Sequence, residues 1–124
     1  MLRITSCARS RAFYVEGLGF TVEWEHRAQP DLPVFMSITQ DGMEIFLTEH
    51  AGDCEVGGLV HFYVADVDAW YARFTVNQVH VYEPPGDRLP GLRYMTVADP
   101  DSNQLRFLTR LNEGSSVPDR DGVD

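Results

Sequence analysis

Residues 37–48 read Ser-Ile-Thr-Gln-Asp-Gly-Met-Glu-Ile-Phe-Leu-Thr, and residues 96–109 return to this pattern as Thr-Val-Ala-Asp-Pro-Asp-Ser-Asn-Gln-Leu-Arg-Phe-Leu-Thr. In each stretch two apolar runs flank a cluster of turn-forming residues, which predicts a pair of antiparallel strands. The same hairpin pattern occurs in both halves of a chain of 124 residues. The sequence therefore predicts an internal duplication.

The duplication extends outward from the hairpins to the helices. Phe46 and Phe107 lie 61 residues apart, and Phe13-Tyr14 precedes Trp70-Tyr71 by 57 residues. Strands are predicted at residues 20–26, 33–39, 43–48, 59–64, 79–82, 92–97 and 104–109, helices at 8–18 and 67–74, and a loop at 83–89. The order predicts an α+β fold in which two βαβββ modules form curved mixed sheets around a cleft.

The apolar pattern also predicts the limits of the domain. One domain covers residues 1–110, with modules at about 1–49 and 58–110 and a linker between them. Residues 111–124 contain almost no apolar side chains, so burial cannot offset the entropy lost on ordering them. We expect a flexible tail there.

Composition limits the partners. The net charge is −9, with ten basic residues, all of them arginine. An acidic surface disfavours nucleic acid and anionic membranes and favours neutral or cationic partners, although solubility alone explains it equally well. We find neither a membrane-length apolar run nor a signal peptide, and Cys7 and Cys54 match no metal-binding spacing, so a cytoplasmic protein with free thiols is expected.

Three segments resemble one known superfamily, and they occur in its order. Residues 8–20 resemble its first helix with the Leu-Gly-Phe turn, residues 64–69 the entry to its second helix, and residues 91–107 its last hairpin. The superfamily is that of glyoxalases, bleomycin-resistance proteins and dioxygenases, also called the vicinal oxygen chelate superfamily, and the chain is most similar to its bleomycin-resistance type. The resemblance implies paired βαβββ modules, a homodimer, and clefts on the concave sheets.

The resemblance also implies where a metal would bind, because enzymes of the superfamily hold a divalent ion with His or Glu from four strands. The first ligand position precedes Met1, and the other three carry Phe46, Leu59 and Arg106. Neither hydrocarbon side chain offers a lone pair, and a guanidinium repels a cation. We therefore expect no metal or other cofactor, no catalytic residue, and a binding function.

Candidate ligand-binding residues follow from the same resemblance. An acidic–aromatic pair after the Leu-Gly-Phe turn corresponds to Glu23-Trp24, and a cleft tryptophan corresponds to His61. The full predicted set is Glu23, Trp24, Phe35, Phe46, His61, Tyr63 and Arg106. For Phe35 and Phe46 a place in the core is an equally good prediction, and Arg106 has Glu44 as an alternative ion-pair partner. A second cleft tryptophan of the bleomycin-binding relatives is missing, since Leu89-Pro90 precedes Gly91.

Three functions remain open at this point. The first is non-catalytic sequestration of a small molecule, for which the acidic charge favours a cation, in a bleomycin-like antibiotic resistance protein. The second is a metal-dependent lyase, isomerase or dioxygenase whose site is rebuilt from Glu49, His50 and His61. The third is a degenerate module that acts in regulation or assembly.

Overall fold

In a computed structural model the described residues, 1–111, form the two predicted modules. The first contains strands β1 (Leu2–Arg3), β2 (Thr21–His26), β3 (Phe35–Gln40) and β4 (Met43–Thr48), with helix α1 (Cys7–Arg11) between β1 and β2. The second contains β5 (Leu59–Tyr63), β6 (Val81–Leu89), β7 (Leu92–Ala98) and β8 (Gln104–Arg110), with helix α2 (Val67–Val76). The α+β fold of two βαβββ modules is confirmed.

Each module has one four-stranded mixed sheet, in the orders β1-β4-β3-β2 and β5-β8-β7-β6. The outer pairs β1–β4 and β5–β8 are parallel, and the remaining pairs are antiparallel. Successive side chains of a strand point to opposite faces, so each sheet has one face toward the core and one away from it. We call the second of these the open face.

Local sequence explains the starts and turns of these elements. The Ser6 side chain accepts a hydrogen bond from the Arg9 N–H and caps α1, while Asp66 accepts from two N–H groups at the start of α2. Asp41 and Gly42 both have positive φ, at 50° and 82°, and form the two-residue turn of the β3–β4 hairpin.

One hydrophobic core joins the modules. It contains Leu2, Tyr14, Ile45 and Leu47 of the first module and Trp70, Phe74, Met95, Leu105 and Phe107 of the second. The Phe20 and Phe62 rings meet across the junction, with centroids 6.4 Å apart. No helix within residues 1–111 is long and apolar enough to cross a membrane.

One predicted boundary was wrong, and one predicted helix differs in its second half. The predicted loop at 83–89 is the continuation of β6, which tolerates two prolines because it lies at the sheet edge and its pairing with β7 shifts register three times. The first helix changes after Arg11 into a wider π-helical segment, Ala12–Gly17. The predicted tail at 111–124 lies, beyond its first residue, outside the described residues.

The alignment of the repeats was also wrong by one residue in the hairpins. The helix caps Ser6 and Asp66 lie 60 residues apart, so Leu2 corresponds to Phe62. Leu47 pairs with Leu2, and Phe107 pairs with Phe62, so Leu47 and Phe107 are equivalent. Phe46 therefore corresponds to Arg106, 60 residues later. The similarity of Phe46 and Phe107 misled the sequence comparison, because the first lies on the open face and the second is fully buried.

Candidate functional site

Three aromatic rings lie together on the open face of the first sheet. Trp24, Phe35 and Phe46 meet pairwise, with centroid distances of 5.5, 5.8 and 5.6 Å. Both phenylalanines are partly exposed, and Trp24 is 43 % exposed. The alternative in which Phe35 and Phe46 belong to the core was wrong. We call these three residues the aromatic triad.

A β-bulge places Trp24 in the triad. Val22 pairs with Ile38 and Trp24 with Ser37, so Glu23 is the extra residue of β2 at this point. Strict alternation would place Trp24 on the core face with Val22, whereas the bulge turns its ring to the open face. The same irregularity recurs in β6, where Val81 pairs with Val97 and Glu83 with Thr96.

Two carboxylates lie beside the triad. Glu23 accepts a hydrogen bond from the Thr39 hydroxyl at 3.1 Å, and Glu44 accepts one from the Ser37 hydroxyl. Both glutamates are exposed, and within residues 1–111 neither forms an ion pair. The open face of the first sheet therefore combines flat apolar rings with negative charge.

The open face of the second sheet is polar at the equivalent positions. The row Trp24–Ser37–Phe46 of the first sheet corresponds to Glu83–Thr96–Arg106 of the second, since Glu83 pairs with Thr96 and Thr96 with Arg106. His61 is the register partner of Arg106 on β5 and is exposed. We call Glu83, Thr96, Arg106 and His61 the polar row.

Hydrogen bonds and ring contacts hold the polar row together. The Arg106 Nε–H donates to Thr96 Oγ1 at 3.3 Å, and the Thr96 hydroxyl donates to Glu83 Oε1 at 2.8 Å. The Arg106 guanidinium lies 4.8 Å from the centroid of the Tyr94 ring, and that of Arg88 lies 5.1 Å from it. Arg106 does not pair with Glu44, so that predicted alternative was wrong.

Sequence reasoning missed Glu83, Arg88 and Tyr94. Glu83 and Arg88 lie in the segment predicted as a loop, where no strand parity was assigned. Tyr94 shares the face of Thr96, two positions away on a predicted strand, so period-two alternation was the signal that identifies it. The seventh predicted residue, Tyr63, is 55 % exposed at the end of β5, and the Arg110 guanidinium stacks on its ring at 4.2 Å.

The three ligand positions that the superfamily implies do not fit a divalent metal. Phe46 is part of the aromatic triad, Leu59 is an exposed hydrocarbon side chain, and Arg106 carries positive charge. Within residues 1–111 no group of three or more His, Cys, Asp or Glu side chains is arranged to hold a metal ion.

Glu49, His50 and His61, which the sequence offers as a rebuilt metal site, do not form one among the described residues. Glu49 uses both carboxylate oxygens for structure, because Oε2 accepts the Cys7 N–H and Oε1 the Val34 N–H, each at 2.9 Å. It thereby ties the start of α1 to the residue that precedes β3. His50 is exposed in the following loop, and its carbonyl accepts a hydrogen bond from Arg3.

A groove of about 550 Å³ lies away from both open faces. Its lining includes Arg9, Phe13 and Glu16 of the first module and His80 and Asp99 of the second, and it contains no residue of the predicted site. The groove therefore has none of the positions that the superfamily resemblance marks for binding, whereas the open faces carry the aromatic triad and the polar row. The candidate site therefore lies on the open faces.

Comparison with known proteins gives one family and a consistent fold. The sequence model of a family described as Glyoxalase superfamily protein matches residues 1–114. No curated protein matches the chain.

Solved structures with this fold have different functions. TnmS3, an antibiotic binding protein from Streptomyces sp. CB03234, has a TM-score of 0.73 at 21 % identity, over 88 % of this chain and 90 % of its own. A glyoxalase/bleomycin resistance protein from the same strain has a TM-score of 0.70 at 23 % identity, over 86 % and 93 %. Lactoylglutathione lyase from Agrobacterium tumefaciens has a TM-score of 0.67 at 18 % identity, over 87 % and 88 %. These similarities show the fold alone.

Proposed function

The chain belongs to the glyoxalase superfamily, and we propose that within it the protein sequesters a small, flat, cationic molecule of the bleomycin type without chemical conversion. The aromatic triad is the observation that carries this proposal. The three rings contact one another on a sheet face with interplanar angles of 43–49°, and the exposed Trp24 ring offers a face on which a planar group stacks.

Charge gives the second argument. Glu23 and Glu44 lie beside the triad without an ion-pair partner among the described residues. A cation that stacks on the triad gains from the ring faces and from these carboxylates together. The net charge of −9 raises the local concentration of cationic ligands and disfavours nucleic acid and anionic membranes as partners.

The metal positions give the third argument. Chelation chemistry needs donors with lone pairs, and Phe46, Leu59 and Arg106 supply none. The antibiotic binding protein among the similar structures supports binding as a function for this fold. The other predicted residues, His61, Tyr63 and Arg106, lie on the open face of the second sheet, and we assign the cationic group to the triad rather than to them.

We further propose a cytoplasmic homodimer. Strand β6, at one edge of the second sheet, exposes Tyr82 and Leu89 by about half or more. Large apolar side chains exposed in one region are typical of subunit contacts. Light scattering at micromolar concentration tests the dimer, and a stable monomer would contradict it. The two free cysteines are consistent with a reducing compartment.

Calorimetric titration of the full chain with metal-free bleomycin tests the binding function. We expect saturable binding in wild type, loss of at least about tenfold in affinity in Trp24→Ala, and a weaker complex in Glu23→Gln. Glu16→Gln is the matched control, because it removes the same charge from an exposed position on the π-helical segment. Equal affinities in Trp24→Ala and wild type would overturn the role of the triad.

Metal analysis of the purified protein tests the enzymatic alternative. We expect no stoichiometric divalent ion, and no change in bleomycin affinity when a chelator is present. One tightly bound divalent ion per wild-type chain, and none in His61→Ala, would instead favour a lyase or isomerase with a rearranged site.

A further inference from the structure

Arg106 is held in place on the open face of the second sheet by uncharged groups. Its Nε–H donates to Thr96 Oγ1, and its guanidinium plane rests near the Tyr94 ring. Thr96 is fully buried and Tyr94 is 9 % exposed, so both supports are fixed by packing. The orientation of the guanidinium is therefore set before any ligand arrives, which lowers the entropy cost of binding.

The two terminal nitrogens of Arg106 have no partner within residues 1–111. They donate no hydrogen bond, and no carboxylate lies within ion-pairing distance. Arg93 pairs with Asp68 and Asp87, and Arg88 donates to the carbonyls of Tyr94 and Pro84. Arg73 and Arg110 also form no ion pair or hydrogen bond among these residues, but both are exposed. Arg106 itself is partly buried.

Glu83 does not neutralise Arg106. Its Oε1 accepts the Thr96 hydroxyl, and its Oε2 lies 4.0 Å from Arg88 Nε. The glutamate charge is thus directed toward Arg88 and Thr96. On the other side of Arg106, its register partner on β5 is His61, a further donor on the same face of the sheet.

We propose that the polar row binds an oxyanion group of a ligand, a carboxylate or a phosphate monoester, through the paired terminal N–H groups of Arg106. The planar fork of a guanidinium matches two oxygens of either group, and such bidentate pairs are stronger than neutral hydrogen bonds. The exposed side chains of Leu59 and Tyr63, which flank His61 on β5, supply contacts for an attached ring. The ligand class is an aromatic acid or aryl phosphate.

This inference deepens the proposed function, since it names the chemical group bound at the second open face, but it rests on different residues. The aromatic triad selects a flat cationic group, whereas Arg106 selects an anionic one. A molecule that carries both a cationic and an anionic group binds to both open faces. Otherwise a cationic molecule binds to the first open face and an anionic molecule to the second. In either case the two selections are separable by mutation.

Titration with benzoate and with phenyl phosphate tests the inference, with benzamide as the uncharged analogue. We expect the binding of one or both anions to perturb the NMR signals of Arg106, His61 and Tyr94 at concentrations where benzamide has no effect. Benzoate alone identifies a carboxylate site, and phenyl phosphate alone a phosphate site. Binding of benzamide as tight as that of the anions, or no binding of either anion, overturns the proposal.

Variants of Arg106 separate charge from geometry. Arg106→Gln should weaken anion binding by about tenfold to a hundredfold, the range for hydrogen bonds to charged groups. Arg106→Lys should recover only part, because an ammonium keeps the charge and loses the fork. Arg73→Gln is the matched control, because this substitution removes the same charge from α2, where Arg73 stacks on Trp70. Circular dichroism melts verify that each variant is folded.

The outcomes also separate this proposal from the binding function above. Trp24→Ala should lose bleomycin and retain the anion, and Arg106→Gln should lose the anion whatever happens with bleomycin. If Arg106→Gln binds benzoate or phenyl phosphate as tightly as wild type does, the oxyanion site is wrong, and the proposed bleomycin binding is unaffected. If wild type does not bind bleomycin, the proposed binding function is wrong, and the oxyanion proposal is unaffected.

Discussion

The hydroxyl of Tyr14 donates a hydrogen bond to Asp99 Oδ2 over 2.7 Å, and this bond joins the helical segment of the first module to the β7–β8 turn of the second. Tyr14 is fully buried and Asp99 is 6 % exposed. Asp99 also accepts the N–H groups of Asp101 and Asn103, while Asn103 donates to the Arg3 carbonyl. One buried carboxylate thus organises the turn and the contact between the modules.

Tyr14→Phe should therefore lower the free energy of unfolding by about 1–3 kcal/mol, because it leaves a buried carboxylate oxygen with one fewer donor. Urea unfolding followed by circular dichroism measures the change. Tyr71→Phe is the control, since Tyr71 is half-buried on α2 and should be nearly neutral. Equal stabilities of wild type and Tyr14→Phe would mean that the bond contributes nothing to module docking.

Alkaline pH should weaken the protein through the same tyrosine. Burial, followed by the charge and hydrogen bond of Asp99, raises the pKa of Tyr14 well above its ordinary value of 10.0. In the unfolded chain the phenol ionises near that value, whereas in the folded protein it stays protonated. Its contribution is complete below about pH 10 and is lost as pH rises from there through the raised pKa of the folded state. Unfolding free energies measured from pH 9 to pH 11.5 should fall more steeply for wild type than for Tyr14→Phe.

Local sequence accounts for much of the fold. The Asp41-Gly42 turn and the caps at Ser6 and Asp66 lie where short-range rules predict them, because each depends on neighbouring residues only. The bulge at Glu23 and the long edge strand β6 depend on pairing with another strand, and the π-helical segment has no such local signal. These long-range features decide which face Trp24 and Glu83 occupy.

The site shows the same division. The resemblance supplied positions for Phe46, Leu59 and Arg106, and the observed registers make Phe46 and Arg106 equivalent between the modules. It did not supply the groups that hold Arg106. Tyr94 and Thr96 come from β7 and Glu83 from β6, and only the pairing of β6, β7 and β8 brings them together. A residue's chemistry is readable from sequence, whereas its unpaired state is a property of the folded protein.

Glu49→Gln should lower stability, because Glu49 is a structural acceptor. The glutamine side chain has a single oxygen, so it can accept a hydrogen bond from the Cys7 N–H or from the Val34 N–H but not from both in the present geometry. The substitution also removes the negative charge at the start of α1. We expect a loss of about 1–3 kcal/mol in urea unfolding. Glu55→Gln, an exposed loop position nearby, should have little effect. Unchanged stability together with reduced metal content would instead assign Glu49 to a metal site.

Truncation of the two phenylalanines that look alike in the sequence should give opposite results. Phe107 is fully buried and stacks on Trp70 with centroids 5.2 Å apart, so Phe107→Ala should cost about 3–5 kcal/mol of stability. Phe46 is partly exposed in the aromatic triad, so Phe46→Ala should cost less stability and weaken bleomycin binding. Unfolding and titration of both variants decide between core and binding roles. If Phe46→Ala and Phe107→Ala lose similar amounts of stability and Phe46→Ala binds bleomycin as wild type does, Phe46 is a core residue and not part of the site.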